Sequence, residues 1–345
     1  MKVGVFDHLD RSGEPLREFY EHRLQLCEQY DRVGFYGYHL AEHHSTPIGL
    51  APAPSVFLSA VAQRTERLRL APLVYLLPFY HPIRLIEEIC MIDQLSGGRY
   101  EIGVGRGISP VEASFYGVDA GESAERYAEI LAIVSAGLRQ TQLTFHGKYY
   151  TFENVPLELT PCQTPFPPFW YGVHGPESAE RAARSGFNVV TNEGPQATAA
   201  IAAAYRAAWH AAPARASVMP EIGAVRHIVV AESDAEALAL ARRAFARWHE
   251  NFFHLHRRYA LKASHEKAPD LDAALAAGTA VAGSPDTVAA ALTEQIESAG
   301  FSYLLGQFAF GDLALPDAAR SVDLFARHVM PRLGRTPSGG SSYGV

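Results

Sequence analysis

The chain has 345 residues, 48% of them hydrophobic and 19% charged, with 30 Lys+Arg against 37 Asp+Glu for a net charge of -7. That is ample apolar material for a sizeable core, and an acidic balance with no basic stripe excludes a polynucleotide or an anionic lipid surface as the main partner. Three cysteines, Cys27, Cys90 and Cys162, lie far apart without a C-x-x-C spacing, which excludes a disulfide scaffold and a zinc module.

Met1-Lys2 runs straight into the strand-like Val3-Gly4-Val5-Phe6, and no window reaches the roughly 18 apolar residues of a spanning helix. A cytoplasmic protein without signal peptide or membrane anchor is expected. From there the pattern repeats in two beats, a short β-branched or aromatic run followed by a longer stretch of helical period. Strands are predicted over 3–6, 35–40, 68–76 and 99–104, with helices over 16–33, 55–64 and 83–95 between them. After Arg106 the rhythm changes to a helix over 123–138 and a hairpin over 143–152 turning at Gly147-Lys148, then a stiff Pro-rich connector over 161–168. The beat resumes with strands over 169–173, 187–190, 222–231 and 303–308. The helices predicted with them cover 177–185, 197–212, 234–259, 285–298 and 314–330. Eight strand-then-helix units are the number that closes a TIM (β/α)8 barrel, here lengthened beyond the usual ~250 residues by the hairpin and by a polar, lid-like segment over 260–282. One domain over 1–334 and a disordered Gly/Ser-rich tail over 335–345 are expected. In such a barrel reactive residues belong at the carboxyl ends of the strands.

Three constellations fall there. Ala41-Glu42-His43-His44 follows the second strand and admits a metal site, an acid/base pair or a structural corner. Rings on consecutive residues point apart and no further His or Cys completes a ligand set, so no metal is expected and an acid/base or hydrogen-bonding role for His43 or His44 is preferred. The run Gly103-Val104-Gly105-Arg106-Gly107 ends the fourth strand, its glycines allowing a flat ligand to approach and Arg106 offering a fork to a phosphate or carboxylate. It lacks the third glycine of the dinucleotide fingerprint, and Ser109-Pro110 stands where a helix start would be needed, which disfavours a nicotinamide-binding domain. His174-Gly175-Pro176-Glu177-Ser178 opens a helix as an anion-binding turn, and Gly283-Ser284-Pro285-Asp286 is a second opening of the same type. The two cannot be ranked from sequence. Trp248, Phe252 and Phe253 read as core residues of a long helix.

Glu42-His43-His44, then His81-Pro82-Ile83-Arg84, Asp93-Gln94-Leu95-Ser96-Gly97-Gly98-Arg99 and Gly103-Val104-Gly105-Arg106-Gly107, in that order and spacing, resemble the bacterial luciferase-like flavin-dependent monooxygenases. The resemblance spans most of the chain. It implies an enzyme on a TIM barrel that takes reduced FMN from an NAD(P)H-dependent flavin reductase and oxygenates a small organic substrate with O2 through a flavin 4a-hydroperoxide. By position it implies a catalytic His43, Arg106 on the FMN phosphate with Gly175 and Ser178 in the phosphate turn, and Gly105 and His174 beside the cofactor. It also implies a non-prolyl cis peptide at Leu73-Val74 under the flavin ring, Trp248 in the flavin pocket, and a mobile lid over 260–282. Glu42, His44, Tyr75, Phe79, Thr191 and Asn192 would line the substrate site, suited to an apolar or aromatic compound with a carbonyl handle. Two features depart from the light-emitting members: they carry cysteine at Gly105, so light emission is not expected, and their phosphate turn is richer in serine and threonine. The family also implies a homodimer through helices of the first half, for which Leu85, Ile89 and Ile92 offer a seam. Its superfamily contains two alternatives on the same barrel, a deazaflavin-dependent hydride-transfer oxidoreductase and a non-catalytic flavin-binding subunit. The retained His43 and full-length lid region argue against the second.

Overall fold

Runs such as Val3-Gly4-Val5 and Tyr303-Leu304-Leu305 carry no polar alternation, so they can only be stable with both faces covered, which parallel strands under crossover helices achieve. In the computed structural model, which describes residues 1–107, 109–211, 218–261 and 267–333, these two runs are neighbours, Val3 opposite Leu304. The first half comprises β1 (Lys2–Asp7), α1 (Leu16–Val33), β2 (Gly37–Leu40), α2 (Pro54–Arg64), β3 (Arg69–Pro72), β4 (Tyr75–Leu76), α3 (Pro82–Leu95), β5 (Ile102–Gly105), α4 (Pro110–Phe115) and α5 (Ser123–Gly137). A hairpin, β6 (Gln142–His146) and β7 (Thr151–Pro156), leads to β8 (Phe169–Gly172), α6 (Pro176–Ser185), β9 (Asn188–Thr191), α7 (Pro195–Ala211) and β10 (Ile222–Val230). The chain finishes through α8 (Asp234–Phe252), α9 (His254–Arg258), α10 (Leu271–Ala276), β11 (Ala280–Gly283), α11 (Pro285–Ala299), β12 (Tyr303–Gln307) and α12 (Leu315–Leu324).

The large sheet runs β3-β2-β1-β12-β10-β9-β8-β5-β4, every pair parallel. β3 and β4 are two halves of one stave, interrupted at Leu73-Val74, whose peptide bond is cis. Leu70 bridges Tyr100 and Tyr75 pairs with Val104, so this broken stave meets β5 and the ring of eight closes as a TIM barrel. β11 pairs with the outer half of β10 as a strand outside the ring.

Three expectations need correction. The segment 260–282 contains α10 and most of β11, a strand that Ala-Val-Ala-Gly conceals because it has one β-branched residue; residues 262–266 and the tail 335–345 lie outside the described residues. The helix expected over 234–259 stops at Phe252 and resumes as the short α9. Leu85, Ile89 and Ile92 face the core at 0–2% exposure, whereas Val56 of α2 and Met91 and Leu95 of α3 are exposed.

Inside the ring, Leu73, Trp170, Val190, Val225, Tyr303 and Leu305 form an apolar plug. Below it Glu101 accepts from Arg69 and from the Trp170 indole, and His39 Nε2 meets the Tyr303 hydroxyl at 2.9 Å. Asp93-Gln94-Leu95-Ser96-Gly97-Gly98-Arg99 is a corner rather than a site: Arg99 donates to the carbonyls of Ala62, Thr65 and Leu68, and Asp93 receives the Gln163 amides. Among the described residues no helix is long and apolar enough to cross a membrane.

Candidate active site

Above the plug, at the carboxyl ends of the strands, two abutting cavities of about 560 and 550 Å3 share Phe6, His8, Leu73, Val74, Asn192 and Phe252 as common walls. One, the tryptophan chamber, adds Thr191, His227, Phe245 and Trp248. The other, the arginine chamber, adds His43, Gly105, Arg106, Glu112, Tyr171 and Arg181.

β2 ends at Leu40, and the following loop turns the His43 ring into the arginine chamber with a quarter of its side chain exposed. Its Nδ1 lies 3.4 Å from Glu112 Oε1, while Glu112 Oε2 accepts the His44 backbone N–H at 3.3 Å. Glu112 was missed from sequence, and its position corrects the reading of Ser109-Pro110. That dipeptide is a helix start: the Ser109 hydroxyl accepts the Glu112 N–H at 3.2 Å, Pro110 occupies the first position of α4, and the Ser-x-x-Glu spacing of a capping box was the available signal. Burial pulls the His43 pKa down, but Glu112, assisted by Glu42, outweighs it and holds the ring above its ordinary value. With Nδ1 committed to Glu112, Nε2 is left for a ligand.

His8, at the end of β1, stacks on His43 with ring centroids 5.7 Å apart. Burial holds its pKa well below the ordinary value, and its Nδ1 sits 3.0 Å from Gln307 Nε2. With that amide donating, the neutral ring carries its proton on Nε2. Two neighbouring imidazoles thus have their basicities pushed in opposite directions, the arrangement that separates a proton donor from an acceptor. In the tryptophan chamber, His227 and Trp248 pack edge to face at 4.4 Å, and neither the buried His227 Nε2 nor the buried Trp248 Nε1 has a partner. Burial holds His227 at about 3, and such orphaned atoms at a cavity wall call for a polar ligand.

Arg106 and Arg181, both exposed, have no ion-pair partner among the described residues and stand in the chamber beside the loop that leads into α6. His174, in that loop, lines both chambers and pairs with Glu193 at 3.1 Å. The first amides of α6 add a positive end to this side of the cleft. The rival opening at Ser284 is already filled, its backbone N–H donating to Asp234 Oδ1 at 2.6 Å.

A family profile described as luciferase-like monooxygenase matches residues 1–303. The chain belongs to the luciferase-like monooxygenase family. The monooxygenase is 42% identical over 334 residues to the uncharacterized protein y4wF of Sinorhizobium fredii, covering 97% of this chain and 98% of that one. It is 28% identical over 248 residues to the oxygenase component of flavin-dependent trigonelline monooxygenase from Acinetobacter baylyi, covering 70% and 68%. Among solved structures, the monooxygenase RslO1 of Streptomyces bottropensis superposes with a TM-score of 0.84 at 27% identity, covering 96% of this chain and 99% of that one.

In this monooxygenase the barrel brings together Glu42, His43, Leu73, Val74, Gly105, Arg106, His174, Thr191, Asn192 and Trp248 around the two chambers. Other expected contacts are corrected. His44 turns away, with Nε2 on Glu42 Oε1 and Nδ1 on the Tyr116 hydroxyl, each at 2.7 Å. Tyr75 is fully buried outside the cleft with its hydroxyl between Ser55 and Tyr100, and Phe79 stacks on Tyr116 behind the wall. Gly175 and Ser178 form the turn after His174 without lining either chamber, the Ser178 hydroxyl donating to the Gly175 carbonyl at 2.7 Å.

The glycines of β5 also serve a purpose other than the expected one. A Cβ at Gly103 would sit 2.0 Å from the Pro72 carbonyl oxygen, and one at Gly105 would sit 2.3 Å from Val74 Cγ2. The neighbouring stave, displaced toward β5 where it breaks, fills the space that seemed reserved for a ligand. Among the described residues no three His, Cys, Asp or Glu side chains are grouped to hold a metal ion.

Proposed function

We propose that the protein is the oxygenase component of a two-component system, receiving reduced FMN from a separate NAD(P)H-dependent flavin reductase and oxygenating a small organic substrate with O2. The observation that carries this reading is the arginine chamber, where a histidine tuned by a buried carboxylate faces two cations that have no ion-pair partner among the described residues. Bound reduced FMN supplies the electrons with which O2 is activated. Arg106 and Arg181 would take its phosphate, with Gly105 and His174 beside it. Leu73 and Val74 would support the ring, and Trp248 would meet its far edge. His43 holds or delivers a proton at Nε2 while Glu112 fixes the ring through Nδ1. Phe6, Phe252 and Trp248 keep the cleft apolar and exclude water. Thr191, Asn192 and Glu42 remain as substrate contacts. A cytoplasmic homodimer, paired through the exposed Val56, Met91 and Leu95, completes the proposal.

The test is to load the protein anaerobically with reduced FMN, mix it rapidly with oxygenated buffer and follow the near-ultraviolet spectrum. A transient species outliving free-flavin oxidation is expected. Oxidation at the free-flavin rate would sink this reading and favour a deazaflavin cofactor or a silent flavin-binding subunit. In equilibrium titrations, Arg106→Ala is expected to weaken FMN by about 10- to 100-fold, the scale of one charge-assisted hydrogen bond, while riboflavin, which lacks the phosphate, binds both proteins alike.

A further inference from the structure

Lys267 lines both chambers and, among the described residues, has no carboxylate within ion-pair distance. Its ammonium group lies 5.9 Å from the Phe252 ring centre and close enough to both His8 and His227 for its charge to depress their basicity. The carboxylate whose charge it feels, Glu193, is engaged with His174 at 3.1 Å. Arg226, buried beneath, anchors that loop by donating to the Glu193 carbonyl at 3.0 Å and to Gln295 Oε1 at 2.7 Å, so Glu193 is held at the rim. Burial lowers the Lys267 pKa, as befits an ammonium group that has lost water without gaining a counter-charge. Beside it, His227 Nε2 is a buried atom without a partner. Phe6, Phe245, Trp248 and Phe252 supply flat apolar wall, and Thr191, Asn192 and Gln307 add polar lining.

We propose that the tryptophan chamber takes a cyclic or aromatic carboxylate, its ring between the aromatic walls and its carboxylate on Lys267, with His227 Nε2–H as second donor. A neutral ligand would leave the ammonium group desolvated and unpaired, which costs more than the contacts it makes. A carboxylate satisfies both donors and presents the ring toward Leu73-Val74, the wall shared with the arginine chamber. This assignment of substrate class rests on the oxygenase reading above, which sets the flavin against Leu73, Val74 and the edge of Trp248 in the same cleft, and it is tested without turnover on protein free of flavin.

Benzoate and cyclohexanecarboxylate are titrated against benzamide and benzyl alcohol, with intrinsic tryptophan fluorescence and saturation-transfer NMR as readouts, in wild type, Lys267→Gln and Lys267→Arg. Carboxylates are expected to bind wild type at least about 10-fold more tightly than their neutral counterparts. Lys267→Gln is expected to erase that preference while leaving benzamide binding unchanged, and Lys267→Arg to retain it. Equal affinity for benzoate and benzamide, no binding of either carboxylate at millimolar concentration, or an unaltered preference in Lys267→Gln would each overturn the proposal. FMN titration of the same samples separates the outcomes: normal FMN binding with no carboxylate preference defeats this inference alone, and absent FMN binding in wild type defeats the oxygenase reading.

Discussion

Replacing His43 with alanine is expected to lower product formation by about 10²- to 10⁴-fold, the scale of a lost acid/base group, while FMN affinity stays near wild type. The separation follows from the geometry. His43 stands with Glu112, and the cations that would receive the phosphate, Arg106 and Arg181, have no bond to it. Glu112→Gln supplies the finer test. The carboxylate is what holds His43 above its ordinary pKa against burial, so removing its charge lets burial prevail and the ring becomes less basic. The midpoint of the rate-against-pH profile that reports His43 should therefore move to lower pH, with a smaller loss of rate than in His43→Ala. A fully active alanine variant, or an unmoved midpoint in the glutamine variant, would assign proton handling elsewhere in the cleft.

Acid is expected to destabilise the fold steeply between pH 6.5 and 4. His39 and His227 are held neutral by burial with pKa values of about 3, and His8 lies well below its ordinary value. Each depressed histidine contributes stability that is complete above 6.5 and is lost as pH falls toward its folded value, because the unfolded chain binds a proton that the native one refuses. Asp10 acts in the opposite sense. Burial raises its carboxyl to about 7, so its charging costs stability as pH rises from about 4 to 7, and acidification relieves that cost. Glu42, likewise raised by burial, joins Asp10 in offsetting part of the histidines' effect, and each net proton near pH 5 is worth about 1.4 kcal/mol of stability lost per pH unit of acidification. Thermal melting followed from pH 7.5 to 4.5 should show this slope. His39→Gln, which can still pair with the Tyr303 hydroxyl, should reduce it by about 1.4 kcal/mol per pH unit, and an unchanged slope would remove His39 from the account.

Much of the architecture was legible because each stave and its crossover helix are local: the apolar run of β1 and the amphipathic period of α1 are read within one window of residues. The histidine of the cleft was legible for a related reason, since His43 follows β2 directly and a barrel places such positions at the reactive end. Its partner was not, because Ser109-Pro110 looks like a break to a reader seeking a glycine-rich helix start. His8, His227 and Gln307 have no common signature, as they come from β1, β10 and β12 and meet through parallel register across the ring. Tyr75 shows the opposite failure. Its place at a strand end promised the cleft, but alternation along the stave turns it outward to Ser55 and Tyr100, and nothing local reveals where the stave breaks.

The close fit between β5 and the broken stave has a consequence for how this cleft can be remodelled. Val74 Cγ2 occupies the volume that any side chain at Gly105 would claim, so the two positions draw on one allotment of space. Gly105→Cys alone should force the floor apart and lose affinity for the cofactor, whereas the same change made after Val74→Ala should be accommodated. Routes between family members that differ here therefore have a direction: the smaller residue on one stave must come first, and a library that varies one position at a time will discard sequences that a paired search would keep.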